Sequence, residues 1–308
     1  MSFTTQVKNE ICDKKLSSSE QLAFLSGYFR NNAHYTKEII NLYTENEKIK
    51  DKISSLMEEL YDVNVTLEER SGLNFTKTSL FVLEITNKVD YILQDLCLLD
   101  KNFEVLTSPP NYLVGGNEEI RAYLMGVFLS QGSINDPNKS YHLEFMIDES
   151  FEAVFVQKLL NLFDLNAKIL ERDKGFMLYI KEAEKISDFL RLIRTSNAVM
   201  QFESVRVIRS EKNSVNRLNN CEQANMNKVI QTANEHLEYI EVLKENMADQ
   251  LLDDKTKEAL EYRLKYPDAS LSELSEIISV ETGHKITKSG LNHRFRKIRD
   301  LASKFIQS

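Results

Sequence analysis

The chain has 308 residues, 42% of them hydrophobic and 28% charged, a composition that points to folded domains and excludes a disordered polyelectrolyte. Its net charge of −8 argues against nucleic acid on average, since binders of a polyanionic duplex neutralise phosphates with Lys and Arg; residues 285–308, however, carry seven basic side chains against one acidic. The opening MSFTTQVKNEICDKK has no apolar core of signal-peptide length and no later run reaches the roughly 18 apolar residues of a membrane span, so a cytoplasmic protein with no membrane partner is expected.

In chain order, SSSEQLAFLSGYFRN at 17–31 sets Leu22, Leu25 and Phe29 at helical spacing behind a serine cap. A short β-prone run at Ile39 to Tyr43 follows, and Thr44 with Glu47 reads as a capping box for a helix to about Leu60. Strands are expected near 63–68 and 79–86, joined through a Ser71-Gly72 turn, and Asn87 is expected to cap a helix to about Leu98. After Pro109-Pro110 and Gly115-Gly116 the order repeats. A helix opens at Asn117, a turn at 135–138 leads to a strand at 141–147, a helix spans 151–163, strands occupy 167–172 and 176–180, and a helix runs over 183–193. The offset of about 100 residues implies a duplicated α+β unit, with halves at 1–112 and 113–209.

Residues 210–226 are polar and Asn-rich and read as a connector to a helical domain at 227–308. From about Asn225, Val229, Ala233, Leu237, Ile240, Leu243, Met247 and Leu251 mark a long amphipathic helix. A short helix from Thr256 stops before Pro267, Ser270 and Glu273 box the next, Gly283 turns the chain, and a last helix spans about Lys288 to Phe305. Leu291, Phe295, Ile298, Leu301 and Phe305 form its apolar stripe. The other side offers hydrogen-bond donors and cations, the layout of a recognition helix, with the helix-turn-helix at about 270–303. Lys288, Ser289, Asn292 and His293, near the helix start, are assigned to base edges; Arg294, Arg296, Lys297 and Arg299 are assigned mainly to the DNA backbone. The alternative is a solvated basic face on an ordinary bundle.

Other chemistry has little support. Cys12, Cys97 and Cys221 form no C-x-x-C and are read as small buried residues. His293 has no second ligand at i+3 or i+4, so neither metal nor cofactor is expected. Gly115-Gly116 lacks the continuation of a phosphate loop.

RAYLMGVFLSQGSI at 121–134 resembles the LAGLIDADG helix of homing endonucleases, and LAFLSGYFRNNAHY at 22–35 resembles a degenerate copy. LSELSEIISVETGHKITKSGLNHRFRKI, with its ITKSGLNHR core, is similar to the helix-turn-helix of the WhiA family of bacterial regulators. The stretch with Asn216, Arg217, Asn220, Cys221, Glu222, Ala224 and Asn225 resembles the WhiA connector. The resemblance implies a duplicated LAGLIDADG-type αββαββα domain followed by an all-α domain, in which Gly27, Gly126, Ser26 and Ala23 let two helices approach at a pseudo-two-fold axis. It puts Asn32 and Gln131 where the endonucleases carry metal-binding acids, and neutral amides are weak ligands for a hard divalent cation. It further implies a non-enzymatic regulator of double-stranded DNA, acting in cell division, chromosome segregation and, in spore formers, sporulation. The nine residues 279–287 follow the family's long turn between the last two helices. For the duplicated domain a scaffold is expected; Arg30, Lys77, Arg172 and Lys174 are its candidates for a weaker nucleic-acid surface. Two alternatives remain: a protein-interaction module recruiting RNA polymerase or another transcription factor, and a metal-dependent nuclease.

Overall fold

A computed structural model describes residues 1–70 and 79–306; the expected Ser71-Gly72 turn and Lys77 lie outside them. The chain divides into two compact units, Met1–Ser210 and Glu211–Ser308.

The first unit opens with α1 (Phe3–Cys12), an amphipathic helix that buries Phe3, Val7 and Ile11 and has no counterpart in the sequence reading. Its first half-repeat is α2 (Ser18–Arg30), β1 (His34–Tyr35), β2 (Ile40–Thr44), α3 (Glu47–Tyr61), β3 (Thr66–Arg70), β4 (Leu80–Ile85) and α4 (Val89–Asp95). A one-turn helix, α5 (Asn111–Val114), leads to the second. That repeat is α6 (Asn117–Gln131), β5 (Gly132–Ile134), β6 (Leu143–Ile147), α7 (Ser150–Asn161), β7 (Lys168–Arg172), β8 (Gly175–Ile180) and α8 (Ala183–Leu192). The two sheets are antiparallel, in the equivalent orders β1-β2-β4-β3 and β5-β6-β8-β7. The strands alternate as half-buried strands must: Ile40, Leu42 and Thr44 on β2 face the core, as do Leu143, Phe145 and Ile147 on β6.

The halves meet through α2 and α6, which are buried nearly all round because each packs on its own sheet and on the other helix. A Cβ at Gly27 would lie 2.3 Å from the Tyr123 carbonyl oxygen, and one at Gly126 would lie 2.1 Å from that of Phe24. The two contacts interchange on adding 99 residues (27 to 126, 24 to 123), so the crossing is pseudo-two-fold, as the motif resemblance implies. Ser26 anchors the same helix by donating to the Leu96 carbonyl at 2.7 Å. Helix α1 ties to both halves: Thr4 Oγ1 donates to the Ile134 carbonyl at 2.7 Å, Lys8 Nζ donates to that of Leu129 at 2.9 Å, and Asn9 Oδ1 accepts from Asn46 at 2.8 Å.

Four local expectations are corrected. Thr44 is not the cap of α3. It stays in the ladder opposite Phe81, and Asn46 caps instead, its Oδ1 accepting from Lys48 N and Ile49 N. Asn87 does not cap α4: Lys88 holds that position at φ +56°, tied by Nζ to the Tyr61 carbonyl at 2.6 Å, and the helix ends at Asp95 because Cys97 turns left-handed. The long helix starts far earlier than Asn225. Helix α9 runs from Ser196 to Glu245 and includes the polar segment 210–226, since nothing between those ends is Gly or Pro and its Asn and Ser side chains can face solvent. Glu10 receives its first amides, Asn197 N at 3.1 Å and Ala198 N at 3.2 Å, placing an anion at the positive helix end. Cys221, on its exposed middle, is solvent-facing rather than buried; Cys12 and Cys97 are buried.

The second unit continues from the end of α9 through a 3₁₀ turn (Ala248–Leu251) to α10 (Asp254–Lys265), α11 (Leu271–Thr282) and α12 (Lys288–Ile306). Its core joins Ile240 and Leu243 with Ala259, Leu274, Ile278, Leu291, Phe295 and Ile298.

Gly126→Ala is expected to destabilise the first unit by about 1–3 kcal/mol or more, because the added methyl meets backbone that cannot rotate away. Gly283→Asn, at a left-handed position with open space, is expected to leave the melting profile almost unchanged. Thermal denaturation followed by circular dichroism compares the two.

Candidate nucleic-acid interface

Helix α12 is seated by its apolar side. Leu291, Phe295, Ile298 and Ala302 are buried at three- and four-residue steps, and each wholly buried large side chain contributes about 1.5–3 kcal/mol. Leu301 and Phe305, expected on the same stripe, are half-buried at its edge. The connections before it are over-determined. Arg263, 1% exposed, donates to the carbonyls of Ala269 (2.5 Å), Pro267 (3.2 Å) and Tyr266 (3.4 Å), fastening the turn between α10 and α11. Ser270 and Glu273 form the expected capping box. Helix α11 runs to Thr282, so the turn before α12 is only Gly283 to Thr287, shorter than the 279–287 read from the sequence. Gly283 takes φ +69° to end α11, Ser279 Oγ accepts from Ile286 N at 2.9 Å, and Thr287 Oγ1 accepts from Gly290 N at 3.1 Å to start α12.

The eight expected recognition residues fall into two groups. Ser289, His293 and Arg296, at four- and three-residue steps, lie opposite the buried stripe, with Lys288 at the helix start and Asn292 at the stripe's edge; Asn292 is half-buried and the other four exposed. Among the described residues no side-chain hydrogen bond or ion pair engages these five. The other three are engaged. Arg294 turns back onto α10, donating to the Lys255 carbonyl at 2.9 Å and to Glu258 at 2.8 Å, with its side chain 18% exposed. That contact places the Arg294 side chain on the shoulder of the buried stripe, against α10. Lys297 pairs with Asp253 at 2.9 Å, the side chain that also caps α10, and Arg299 meets Asp300 at 3.3 Å; both pairs are open to solvent.

Beneath α12 lies a feature the sequence reading missed. His236 from α9 stacks on Phe295, with ring centroids 3.9 Å apart and 4° between planes, and the Arg263 guanidinium lies 5.5 Å from the centroid of the same ring. Burial and the neighbouring Arg263 charge push the His236 pKa down to about 4.

Asn32 and Gln131, the positions the motif resemblance aligns with metal-binding acids, lie at the ends of α2 and α6 in the first unit. Asn32 uses both ends of its amide on strand β2, donating to the Tyr43 carbonyl at 3.0 Å and accepting from Tyr43 N at 2.8 Å. Gln131 Nε2 donates to the Asn31 carbonyl at 2.5 Å. Both amides thus hold backbone. Arg30, a candidate for phosphate, is buried: it donates to the carbonyls of Cys97 and Leu106 and lies 3.6 Å from Glu152. Tyr123 donates to the same Glu152 at 2.5 Å, and burial holds both the Glu152 carboxyl and the Tyr123 hydroxyl above their ordinary pKa ranges. Arg172 and Lys174 are exposed. No group of three or more His, Cys, Asp or Glu able to hold a metal occurs among the described residues, nor does any helix long and apolar enough to cross a membrane.

A duplicated domain crossed at two glycines, followed by a trihelical unit whose last helix shows a cationic outer side, defines the class of LAGLIDADG-like proteins carrying a helix-turn-helix. Family models match in the same order: the WhiA N-terminal LAGLIDADG-like domain at 18–99, the WhiA LAGLIDADG-like domain at 120–212 and the WhiA C-terminal HTH domain at 215–302. The chain is 40% identical to the probable cell division protein WhiA of Exiguobacterium sibiricum over 99% of its own length and 96% of the relative's. It is 39% identical to that of Bacillus cereus, over 99% and 97%. The chain belongs to the WhiA family. Its fold is similar to that of full-length WhiA from Thermatoga maritima, with a TM-score of 0.59 at 22% identity over 99% of each chain. It is also similar to an isolated WhiA N-terminal LAGLIDADG domain, with a TM-score of 0.51 at 23% identity over 62% of this chain and 90% of that one.

His236 gives the second unit a pH dependence of defined sign. It is held neutral in the fold, so the unfolded chain takes up its proton first, and stability falls as pH drops from about 6.5 to about 4. His236→Phe keeps the stack on Phe295 and is expected to flatten that slope in melting temperatures measured between pH 7.5 and 4.

Proposed function

We propose that this chain is a DNA-binding regulator of cell division that reads double-stranded DNA with α12. The observation that carries this reading is the outward row of Ser289, His293 and Arg296, flanked by Lys288 and Asn292, all unengaged within the protein and set at helical spacing on a firmly seated helix. A recognition helix needs both properties: side chains that stay adaptable toward the groove, and a fixed axis that gives each one a defined base or phosphate. Lys288, Ser289 and the first amides of α12 suit phosphate and nearby base edges, Asn292 can form a bidentate pair with adenine, and His293 and Arg296 extend the contact. Lys297 and Arg299 can exchange their solvent-exposed carboxylate partners for phosphate at little cost. Arg294 stabilises the unit instead.

The names of the relatives support placing this regulator in cell division; chromosome segregation belongs to the same proposal, as does a location at the nucleoid. Residues 1–209 serve as a scaffold without nuclease activity. Cleavage in a LAGLIDADG site depends on metal-bound carboxylates, whereas Asn32 and Gln131 are neutral and employed in holding backbone. The full-length protein is therefore expected to leave supercoiled plasmid uncut in magnesium.

In a binding assay on genomic promoter fragments, Arg296→Ala is expected to weaken affinity for all sequences alike and to lower the salt slope by about one. Asn292→Ala is expected to relax discrimination at one base pair by about 1–3 kcal/mol. Arg294→Ala should act mainly on the melting temperature. Unchanged DNA affinity in an Arg296→Glu/Arg299→Glu double variant would remove α12 as the reading element.

A further inference from the structure

We propose that the cleft where the two halves of the first unit meet, at the ends of α2 and α6, binds a small organic cation bearing a primary ammonium. The cleft encloses about 650 Å³, the size range of small-molecule sites. Its lining includes three carboxylates, Asp148, Glu149 and Glu152, and a single strong cation, Arg30.

The charges are arranged by depth. Asp148 and Glu149 stand exposed at the mouth, just ahead of α7, while Glu152 lies one turn into that helix at 2% exposure. Glu152 Oε1 is satisfied by Tyr123, but Oε2 has no hydrogen-bond donor. Arg30 leaves that oxygen at 3.6 Å because its two terminal nitrogens are directed at the carbonyls of Leu106 and Cys97. A buried acceptor without a donor is destabilising, a deficit that a small movement of the carboxylate toward an entering ammonium would remove. Among the described residues the Gln131 amide oxygen is a further acceptor without a partner, its nitrogen being occupied by Asn31. The rings of Tyr35 and Tyr43 complete the wall, and aromatic faces attract alkylammonium groups.

Anions are disfavoured by the carboxylate excess. A hard divalent ion favours several convergent carboxylates, and among the described residues no group of three or more His, Cys, Asp or Glu is placed to hold a metal. A flexible chain with an ammonium at each end fits both levels of carboxylate, one head at the mouth and one toward Glu152.

The experiment titrates the full-length protein with putrescine, a four-carbon diamine, by calorimetry at physiological salt, with succinate and magnesium chloride as separate titrants. One saturable site per chain with a dissociation constant of about 1 mM or tighter is expected. Asp148→Asn/Glu149→Gln, confined to exposed side chains, should weaken it roughly tenfold without altering the melting temperature of the free protein. Glu152→Gln, checked for an intact circular dichroism spectrum, should weaken it at least as much. Absence of saturable putrescine binding, equal affinity in the double variant, comparable binding of succinate, or stoichiometric displacement by magnesium would each overturn the assignment.

Discussion

Close contact between the backbones of α2 and α6 governs the first unit. Two helices normally lie 8–10 Å apart, held off by their side chains; here Gly27 admits the carbonyl of Tyr123 and Gly126 admits that of Phe24, so no side chain separates them at the crossing. The reciprocity has a structural consequence. Because each half contributes one glycine and one carbonyl, neither half can rotate without losing both contacts, and the ends of the two helices are held side by side. Asn31, Asn32 and Gln131 are therefore brought together by the crossing itself, and the Gln131 bond to the Asn31 carbonyl closes the arrangement across the pseudo-axis.

That constraint explains how the crossing keeps its shape with amides, rather than acids, at Asn32 and Gln131. A pair of carboxylates facing each other there would repel unless a cation stood between them. Neutral amides remove the repulsion and add bonds that carboxylates cannot make in full. An Asn donates and accepts at once, as Asn32 does on Tyr43, while an ionised Asp accepts only. With amides the ends of the two helices hold each other without a bridging cation. The carboxylates of the cleft belong to α7 and the residues preceding it.

Much of this was legible in the sequence. The duplicated αββαββα order and its offset could be read because each half repeats the same alternation of periods, and Ser270 with Glu273 forms a box whose chemistry is local. The failures have physical causes. Thr44 and Glu47 match a capping box as well as Asn46 does a simple cap, and the choice is made by the β2 ladder, which a local pattern does not contain. The polar stretch 210–226 looked like a connector because it lacks a buried face; helix α9 needs none there, being continued from a packed turn at one end and toward a packed end at the other. Helix α1 is short, and its ties to Ile134 and Leu129 are distant in sequence. His236 could not be linked to Phe295, nor Arg263 to the turn before Ser270, without the fold.

The division within the basic face of α12 follows from helix geometry more than from residue type. A helix resting on a bundle must have shoulder positions that touch the supporting helices, and a long cation at a shoulder reaches backward more readily than outward, as Arg294 does to Glu258. Counting basic residues therefore overstates the surface available to phosphate. In the proposed reading a duplex meets the outward row from Ser289 to Arg296. What sets the axis of that row is the buried side: Phe295 under His236, Arg263 on the turn, and Arg294 on α10. Seat and reading surface share one helix, so a change that loosens the seat shifts every contact at once, whereas a change on the outward row alters one contact and leaves the others in register.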